Sequence, residues 1–227
     1  RFVEESRGGA RLLALERRAG FPAAANAGIR EAAGDVVLLN SDTVVTEGWV
    51  ERLGEAVRRR PRTASATPFS NNATLCSLPR PFAENALPAG HTAASFGRLV
   101  EERSSRLAPP IPTGVGFCLY LSRKALDEVG LLDEGSFGAG YGEEVDWCLR
   151  ATSRGFGHVL DDATFVWHRG GGSFGRSAAR RAKAAERLLG RRHPGFLPAL
   201  ARFMREDPLA EARRPVLAAL HPARRTT

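Results

Sequence analysis

Asp42 lies just beyond a short apolar segment, at a position where α/β proteins bind ligands. Residues 36–39 are Val-Val-Leu-Leu, bounded by Gly34-Asp35 and by polar residues, and this pattern predicts a buried strand. In open α/β sheets, ligands bind outside the carboxyl ends of the strands. The oxygen atoms of Asp42 and Asn40 could therefore hold a divalent cation. A turn or a helix cap at Asp42 is the alternative interpretation.

Glu143, Glu144 and Asp146 crowd the first turn of a helix predicted at 143–154. The free N–H groups and the dipole at a helix start favour negative charge, and capping explains one or two of these acids. A third acid suggests more, because neighbouring like charges raise one another's pKa. A carboxylate with a raised pKa suits a general base. The sequence leaves both interpretations open.

His168 ends an apolar segment and is followed by the glycines at 170–172. A neutral imidazole can bind a metal, and glycines allow a ligand to approach the backbone closely. A histidine whose hydrogen bonds are satisfied at a strand end is the alternative. Gly114 and Gly116 lack the full pattern of a dinucleotide-binding loop. We expect these small residues to leave room for a sugar or another ligand.

The elements that must position these residues alternate between strands and helices. The apolar patterns predict an α/β fold with a mostly parallel sheet flanked by helices, followed by a helical C-terminal tail. An Asp161-Asp162 turn is expected between two short strands near the end of the sheet. The predicted strands are 11–15, 36–40, 64–67, 117–121, 158–160 and 164–168, and the predicted helices before the tail include 22–33, 48–60, 123–129 and 143–154.

The composition is that of a globular protein, with 43% hydrophobic and 26% charged residues among 227. No apolar run approaches the length of about 18 residues that a membrane span needs. Cys76, Cys118 and Cys148 form no CxxC pair, which favours reduced thiols in a cytosolic setting over a zinc site. We expect Cys118 and Cys148 to be small core residues.

The positive charge is concentrated in the C-terminal tail. From Arg176 to the end there are 13 Lys/Arg and 4 Asp/Glu, whereas residues 1–175 carry 20 and 21. Such a tail is either a solvated helical face or a surface attracted to anionic lipid headgroups and acidic partners. A nucleic-acid partner is not expected, because the tail has few aromatic residues to stack on bases.

Taken together and in this order, five segments resemble glycosyltransferase family 2, the inverting nucleotide-sugar transferases of the GT-A fold. The segments are 20–28, 39–43, 114–116, 141–146 and 167–173. The resemblance covers about residues 11 to 177, and it implies a GT-A glycosyltransferase domain at 1–177 with a basic helical extension at 178–227.

The resemblance also implies roles for single residues. Asp42 and His168 would bind a divalent metal, Mn²⁺ or Mg²⁺, with Asn40 at the first acidic position of the family's metal motif. Glu144 would be the catalytic base, next to Glu143, with Asp146 as the fallback. The residues expected at the donor site are Asn26, Asn40, Asp42, Gly114 and Gly116.

The activity that the resemblance implies is transfer of a hexosyl or deoxyhexosyl group from a nucleotide-diphosphate sugar to a hydroxyl of a glycan or lipid-linked acceptor. The tail is similar to sequences of bacterial transferases that build surface polysaccharides. This similarity implies a cytoplasmic location, peripheral at the inner face of the plasma membrane. A non-catalytic GT-A-like module that binds a sugar or a partner, and a nucleotidyltransferase of related architecture, are the alternatives.

The chain begins with Arg1 rather than Met, and the family's first strand, helix and second strand have no counterpart before it. We therefore expect a chain truncated at its N-terminus, with an incomplete nucleotide pocket. On this interpretation the isolated chain is weakly active or inactive, and its parent protein is active.

Overall fold

The computed structural model of the protein describes residues 12–15, 20–138, 140–170 and 176–220. Within them the predicted α/β class is confirmed, because a central sheet lies between helices. The strands are β1 (Val36–Leu39), β2 (Thr43–Val44), β3 (Thr63–Phe69), β4 (Pro110–Ile111), β5 (Cys118–Leu121), β6 (Gly157–Phe165) and β7 (Trp167–His168). The helices are α1 (Phe21–Glu31), α2 (Trp49–Arg58), α3 (Ala93–Arg103), α4 (Arg123–Val129), α5 (Glu134–Phe137), α6 (Glu143–Ser153), α7 (Arg176–Arg192), α8 (Phe196–Glu206) and α9 (Ala210–Leu220), with a 3₁₀ turn at Thr74–Cys76.

The main sheet has the strand order β1-β5-β3-β6-β4, and β2 pairs with β7 in a separate two-stranded ribbon. Strands β1, β3 and β6 run in one direction, and β3 and β6 are parallel neighbours. Strand β5 lies between β1 and β3 and is antiparallel to both, and β4 is antiparallel to β6. The sheet is therefore mixed, which corrects the mostly parallel pairing predicted from the sequence.

Helices cover both faces of the sheet, and a separate hydrophobic core lies on each face. Alternate residues of β5 belong to the two different cores. Leu119 and Leu121 face a cluster that contains residues of α1, α4 and α6. Cys118 and Tyr120 point to the opposite face, into a cluster with residues of α2, α3 and α9. This alternation follows from the two-residue period of a strand. The result is a helix–sheet–helix sandwich in which Cys76, Cys118 and Cys148 are free and buried.

Two of the predicted strands differ in the structure. Residues 12–15 form no strand, and residue 11 lies outside the described residues. The two short strands expected around an Asp161-Asp162 turn are instead the single strand β6. Asp162 is buried within it because its carboxylate accepts hydrogen bonds from Ser104 Oγ at 2.8 Å and from the backbone N–H groups of Leu107 and Ala108 at 3.2 and 2.9 Å.

The C-terminal helices pack on the sandwich. Leu209, Ala212 and Val216 belong to the same buried cluster as residues of α2 and α3. The division of the chain after residue 177 stays a prediction. In the part of the chain that the structure describes, no helix combines the length and the apolar character needed to cross a membrane.

Candidate active site

Asp42 and His168 face each other across the β2–β7 ribbon. The backbone N–H of Asn40 donates to Phe117 O at 2.9 Å, just after β1 ends. The chain then turns into β2, where Thr43 pairs with His168. The backbone N–H of Arg169 donates to Asp42 O at 2.9 Å. This pairing brings Oδ1 of Asp42 within 3.4 Å of Nε2 of His168, although the two residues are distant in sequence.

The orientation of the His168 ring is fixed by residues 71–72 and by Phe117. Nδ1 of His168 lies 2.8 Å from Asn72 O. A carbonyl can only accept, so Nδ1 carries a proton and donates it to Asn72 O, and Nε2 is the nitrogen that faces Asp42. The Asn71 side chain holds the His168 backbone with two hydrogen bonds, of 2.7 and 2.9 Å. The Phe117 ring stacks on the imidazole with centroids 5.3 Å apart.

The Asp42–His168 pair fits the metal that the sequence predicts. A carboxylate oxygen and a neutral imidazole nitrogen are suitable ligands, and two ligands bound at about 2.1 Å and at right angles on one ion lie about 3 Å apart. The observed separation of 3.4 Å is close to that value. The described residues contain no group of three or more His, Cys, Asp or Glu side chains arranged to hold a metal ion. A cation at this pair would therefore need further ligands from a substrate or from water.

The second part of the site is the start of α6, where Glu143 and Glu144 lie. Gly142 precedes the helix with a φ of 90°, a conformation that favours glycine. The Glu144 carboxylate lies against Gly116, so that a Cβ atom there would be 3.3 Å from Cγ, Cδ and Oε1 of Glu144. Burial raises the pKa of Glu144, although the backbone N–H groups around it, including that of Gly116, partly offset the rise.

Glu143 is also buried, and it shares the electrostatic environment of Glu144. Its side chain is 5% exposed, and its Oε2 atom has no hydrogen-bond partner among the described residues. Burial first, and the charge of Glu144 second, raise the pKa of Glu143 to about 7. The two neighbouring carboxylates thus oppose each other's ionisation, as expected for a site that stores a proton near neutral pH.

Two consecutive residues connect Glu143 and Glu144, the acid pair, to the Asp42–His168 pair. Gly116 contacts Glu144, and the next residue, Phe117, stacks on His168. Consecutive Cα atoms are about 3.8 Å apart. The three residues predicted to converge, Asp42, Glu144 and His168, are therefore gathered around one short segment.

Gly114 and Gly116 allow neighbouring side chains of the protein to pack directly against the backbone, and they leave no empty space. A Cβ atom on Gly114 would lie 2.2 Å from Leu119 Cδ1, and its N–H donates to Cys148 Sγ at 3.3 Å. The corresponding space at Gly116 is filled by Glu144. The prediction that these positions leave room for a sugar is corrected, because the protein's own side chains occupy that room.

Asp146 is buried in a cluster of ion pairs. It is 1% exposed and lies 2.8 Å from Arg150, 3.3 Å from Arg192 and 3.1 Å from His193. Burial alone would raise its pKa, but the hydrogen bonds from Arg150 and His193 and the charge of Arg150 lower it overall. Asp146 therefore joins α6 to the end of α7, and the fallback assignment of Asp146 as base is corrected.

Asn26, predicted at the nucleotide pocket, uses its amide within the protein. Its Oδ1 accepts from the N–H of Leu132 at 3.0 Å, and its Nδ2 donates to Leu132 O and Glu134 Oε2 at 2.9 and 3.1 Å. These bonds fasten α1 to the segment before α5. Asn71, Asn72 and Phe117 were not predicted as site residues. The adjacent asparagines in an irregular segment were the signal available in the sequence.

The family model that matches the chain is that of glycosyl transferase family 2, over residues 1–130. The chain belongs to glycosyl transferase family 2. The matched range of this family 2 chain includes Asp42, Gly114 and Gly116, whereas Glu144 and His168 lie beyond it. The positions of those two residues therefore rest on the geometry described above.

Similarity to individual proteins is weaker than the match to the family model. No curated protein sequence matches the family 2 chain. Among solved structures, the chain resembles the crystal structure of GalNAc-T7 with UDP, GalNAc and Mn²⁺, with a TM-score of 0.48 and 16% sequence identity. The similarity covers 68% of this chain and 31% of that one, so the chain spans about a third of that protein's length.

Proposed function

We propose that this family 2 chain transfers a hexosyl or deoxyhexosyl group from a nucleotide-diphosphate sugar to an acceptor hydroxyl, with inversion at the anomeric carbon. One observation carries the proposal: Asp42 and His168 face each other at 3.4 Å, and the adjacent residues Phe117 and Gly116 join them to Glu144. A single displacement at a diphosphate leaving group requires a metal-binding pair and a general base near each other, and here both contact the segment Gly116-Phe117.

The metal pair serves the leaving group. Oδ1 of Asp42 and Nε2 of His168 would hold Mn²⁺ or Mg²⁺, which neutralises charge on the departing diphosphate. The hydrogen bond from His168 to Asn72 O keeps the proton on Nδ1, so that Nε2 stays available as a ligand. Asn40 lies beside this pair at the end of β1 and belongs to the proposed donor site.

The acid pair serves the acceptor. The acceptor oxygen forms a bond to the anomeric carbon while the bond from that carbon to the diphosphate breaks, and Glu144 takes the proton of the acceptor hydroxyl. Gly116 and the N–H groups at the start of α6 orient the Glu144 carboxylate. Glu143 lies beside it, and burial together with the charge of Glu144 raises the pKa of Glu143 to about 7.

The proposals for the acceptor, the biological role and the cellular location are based on the sequence. We propose a glycan or lipid-linked acceptor and a role in the synthesis of cell-surface polysaccharide. The excess of Lys and Arg after residue 175 supports a cytoplasmic location at an anionic membrane surface.

Three substitutions in the intact protein test the proposal: Asp42→Ala, His168→Ala and Glu144→Gln. We expect the first two to weaken Mn²⁺-dependent binding of UDP, GDP or dTDP by about tenfold or more, measured by calorimetry. Glu144→Gln should leave that binding intact and lower sugar transfer by about 10²- to 10⁴-fold, because only the base is lost. Asp127→Asn, at a carboxylate 64% exposed on α4, is the matched control.

Two results would contradict the proposal. Nucleotide binding that needs no metal and is unchanged in Asp42→Ala and His168→Ala would favour a non-catalytic binding module. Release of pyrophosphate rather than a nucleoside diphosphate would favour a nucleotidyltransferase.

A further inference from the structure

Helix α7 carries a row of positive charges on the side that points away from the sheet. Four exposed cations recur along it at spacings of three and four residues, which places them on one face of a helix. We call these residues the basic stripe: Arg180, Lys183, Arg187 and Arg191. The buried residues of α7, Ala185 and Leu189, lie on the opposite side of the helix. The stripe is about 16 Å long.

The charge of the basic stripe is not neutralised by its neighbours. Within residues 12–15, 20–138, 140–170 and 176–220, none of the four cations forms an ion pair, whereas Arg192 of the same helix pairs with Asp133 and Asp146. Glu186 is the only acid in the sequence of α7. Like charges three and four residues apart repel one another and weaken a helix. The stripe therefore opposes the fold slightly, and a partner with negative charge gives it a purpose.

Two exposed apolar side chains of α8 extend this surface. Leu197 and Met204 are 38% and 44% exposed, and a spacing of seven residues places them on one side of α8. A Cβ atom on Gly190 of α7 would lie 3.6 Å from Leu197 Cδ1. Gly190 directly precedes Arg191, so Leu197 lies beside the C-terminal end of the basic stripe. Cations next to exposed apolar side chains are typical of a surface that binds the headgroup region of a membrane.

We propose that the basic stripe, together with Leu197 and Met204, docks this chain on a bilayer that contains anionic lipids. The cations would contact the headgroups, and the two apolar side chains would enter the interface beside them. A bilayer fits this surface better than a nucleic acid does, because α7 has no aromatic residue to stack on bases. The inference rests on the proposed function, because it assigns the surface that makes the proposed membrane contact.

Docking in this way would hold the acid pair close to the membrane. A Cβ atom on Gly142, the residue just before Glu143, would lie 3.1 Å from Cβ of Ala185, on the side of α7 opposite the stripe. An α-helix with its side chains is about 10–12 Å wide. The start of α6 would therefore lie about one helix diameter from the lipid headgroups.

Flotation of the full chain with lipid vesicles tests the inference. One set of vesicles is pure phosphatidylcholine, and the other is phosphatidylcholine and phosphatidylglycerol in a ratio of about seven to three. We expect binding to the mixed vesicles, and binding to phosphatidylcholine alone that is weaker by about tenfold or more, because each cation near an anionic surface strengthens binding about fivefold. Raising NaCl from about 0.05 to 0.5 M should release most of the protein.

Removing equal charge at two places separates the basic stripe from the net charge of the chain. The variant R180Q/K183Q/R187Q should weaken binding to the mixed vesicles by about tenfold or more. The matched control removes three exposed cations outside α7 and α8, and it should change that binding by about twofold or less; it is R60Q/R98Q/K124Q. Thermal unfolding of both variants confirms that each is folded.

The apolar part of the surface has its own variant. L197Q/M204Q keeps every cation and should weaken binding to the mixed vesicles by about fivefold or more, because less apolar surface enters the interface. A short DNA duplex without lipid is the competing ligand, and we expect it to bind more weakly than the mixed vesicles. Vesicle binding unchanged in L197Q/M204Q, together with DNA binding as strong as that of vesicles, would assign the stripe to nucleic acid instead.

The inference and the proposed function fail separately. Absence of binding to the mixed vesicles, equal binding to both kinds of vesicle, or equal losses in R180Q/K183Q/R187Q and R60Q/R98Q/K124Q would overturn the inference, even where metal-dependent nucleotide binding persists. Vesicle binding that is kept in Asp42→Ala while metal-dependent nucleotide binding is lost would support a docking surface distinct from the candidate active site.

Discussion

The environment of Glu143 strongly disfavours the ionised form of its carboxyl group. It is 5% exposed, its Oε2 atom has no hydrogen-bond partner among the described residues, and Glu144 follows it directly. Burial and the neighbouring carboxylate raise the pKa of Glu143 from 4.5 to about 7. The folded protein therefore holds a proton at this pair at pH values where an unfolded chain releases it. That proton has consequences for stability as well as for catalysis.

The consequence for stability has a definite sign. Between pH 4.5 and about 7 the folded state binds a proton at Glu143 and the unfolded state does not. The contribution of this group to stability is therefore complete below pH 4.5 and is lost as pH rises through about 7. We expect the free energy of unfolding of the wild type to decrease, relative to that of Glu143→Gln, by up to about 1.4 kcal/mol per pH unit in this window.

Urea unfolding of both proteins from pH 4 to pH 8 measures this difference. Taking the difference between the two proteins cancels shared groups that do not interact with Glu143, such as His158, whose pKa is lowered by burial to about 4. Glu128→Gln, at a carboxylate 40% exposed, should follow the wild type at every pH. Parallel curves for wild type and Glu143→Gln would contradict the assignment.

For single residues, the sequence was sufficient to identify Asp42 and His168 as site candidates, but it did not reveal the ion-pair partners of Asp146. Asp42 and His168 were identifiable because each follows an apolar segment, and strand ends are where ligands bind. The environment of Asp146 was not identifiable. Its partners Arg192 and His193 are 46 and 47 residues further along the chain, and no local pattern connects them to the start of α6.

The junction of α6 and α7 controls the direction in which the acid pair points. Gly142 begins α6 in a left-handed conformation, and side chains of α7 and α5 approach its Cα closely. Any side chain there meets Ala185, Leu189 and Phe137. The glycine is thus required both by its backbone angles and by the proximity of α7.

We expect Gly142→Ala to lower the free energy of unfolding by about 1–3 kcal/mol, because the backbone is strained at a φ of 90° and the new Cβ lies 3.1 Å from Ala185. Transfer should also decrease, because the acid pair shifts, while metal-dependent nucleotide binding at Asp42 and His168 is kept. Urea unfolding and calorimetry measure the two effects.

The control is Gly28→Ala within α1, where no atom lies within 4 Å of the new Cβ. That change should raise stability by up to about 1 kcal/mol, because alanine favours a helix. Equal effects of the two substitutions would show that neither the backbone angle nor the contacts of α7 require a glycine at position 142.

For the secondary-structure elements, apolar periodicity predicts where strands occur but does not predict which strands are neighbours in the sheet. The apolar segments that became β1, β3 and β5 were predicted from their patterns, but their neighbours were not. Strand β5 comes after α3 in sequence and still inserts between β1 and β3. Such insertion depends on contacts between distant segments. The buried Asp162 is a related case, because hydrogen bonds from residues 104–108 make a polar residue acceptable within a strand.

At the scale of the whole molecule, α9 is part of the core rather than an addition to it. Leu209, which directly precedes α9, and Val216 within it are 1% and 0% exposed, and they share a cluster with Phe96 of α3 and Phe165 of β6. A helical tail was predicted from the sequence, but its apolar residues gave no sign of which surface they cover.

We expect Leu209→Ala to lower the free energy of unfolding of the whole domain by about 2–5 kcal/mol, as for a buried leucine in a central core. Leu197→Ala, at a leucine of α8 that is 38% exposed, should cost much less. Urea unfolding followed by tryptophan fluorescence measures both. A separate, earlier transition in Leu209→Ala, with the main transition unmoved, would mean that the C-terminal helices unfold independently.

The three cysteines lie on both sides of the sheet, Cys76 and Cys118 in one core and Cys148 in the other. Burial raises the pKa of all three thiols, that of Cys148 to about 12, so almost no thiolate exists in the native state. An alkylating reagent therefore modifies them only in molecules that have opened. Counting the tags by mass would reveal which layer of the sandwich separates first, with no label introduced by mutation.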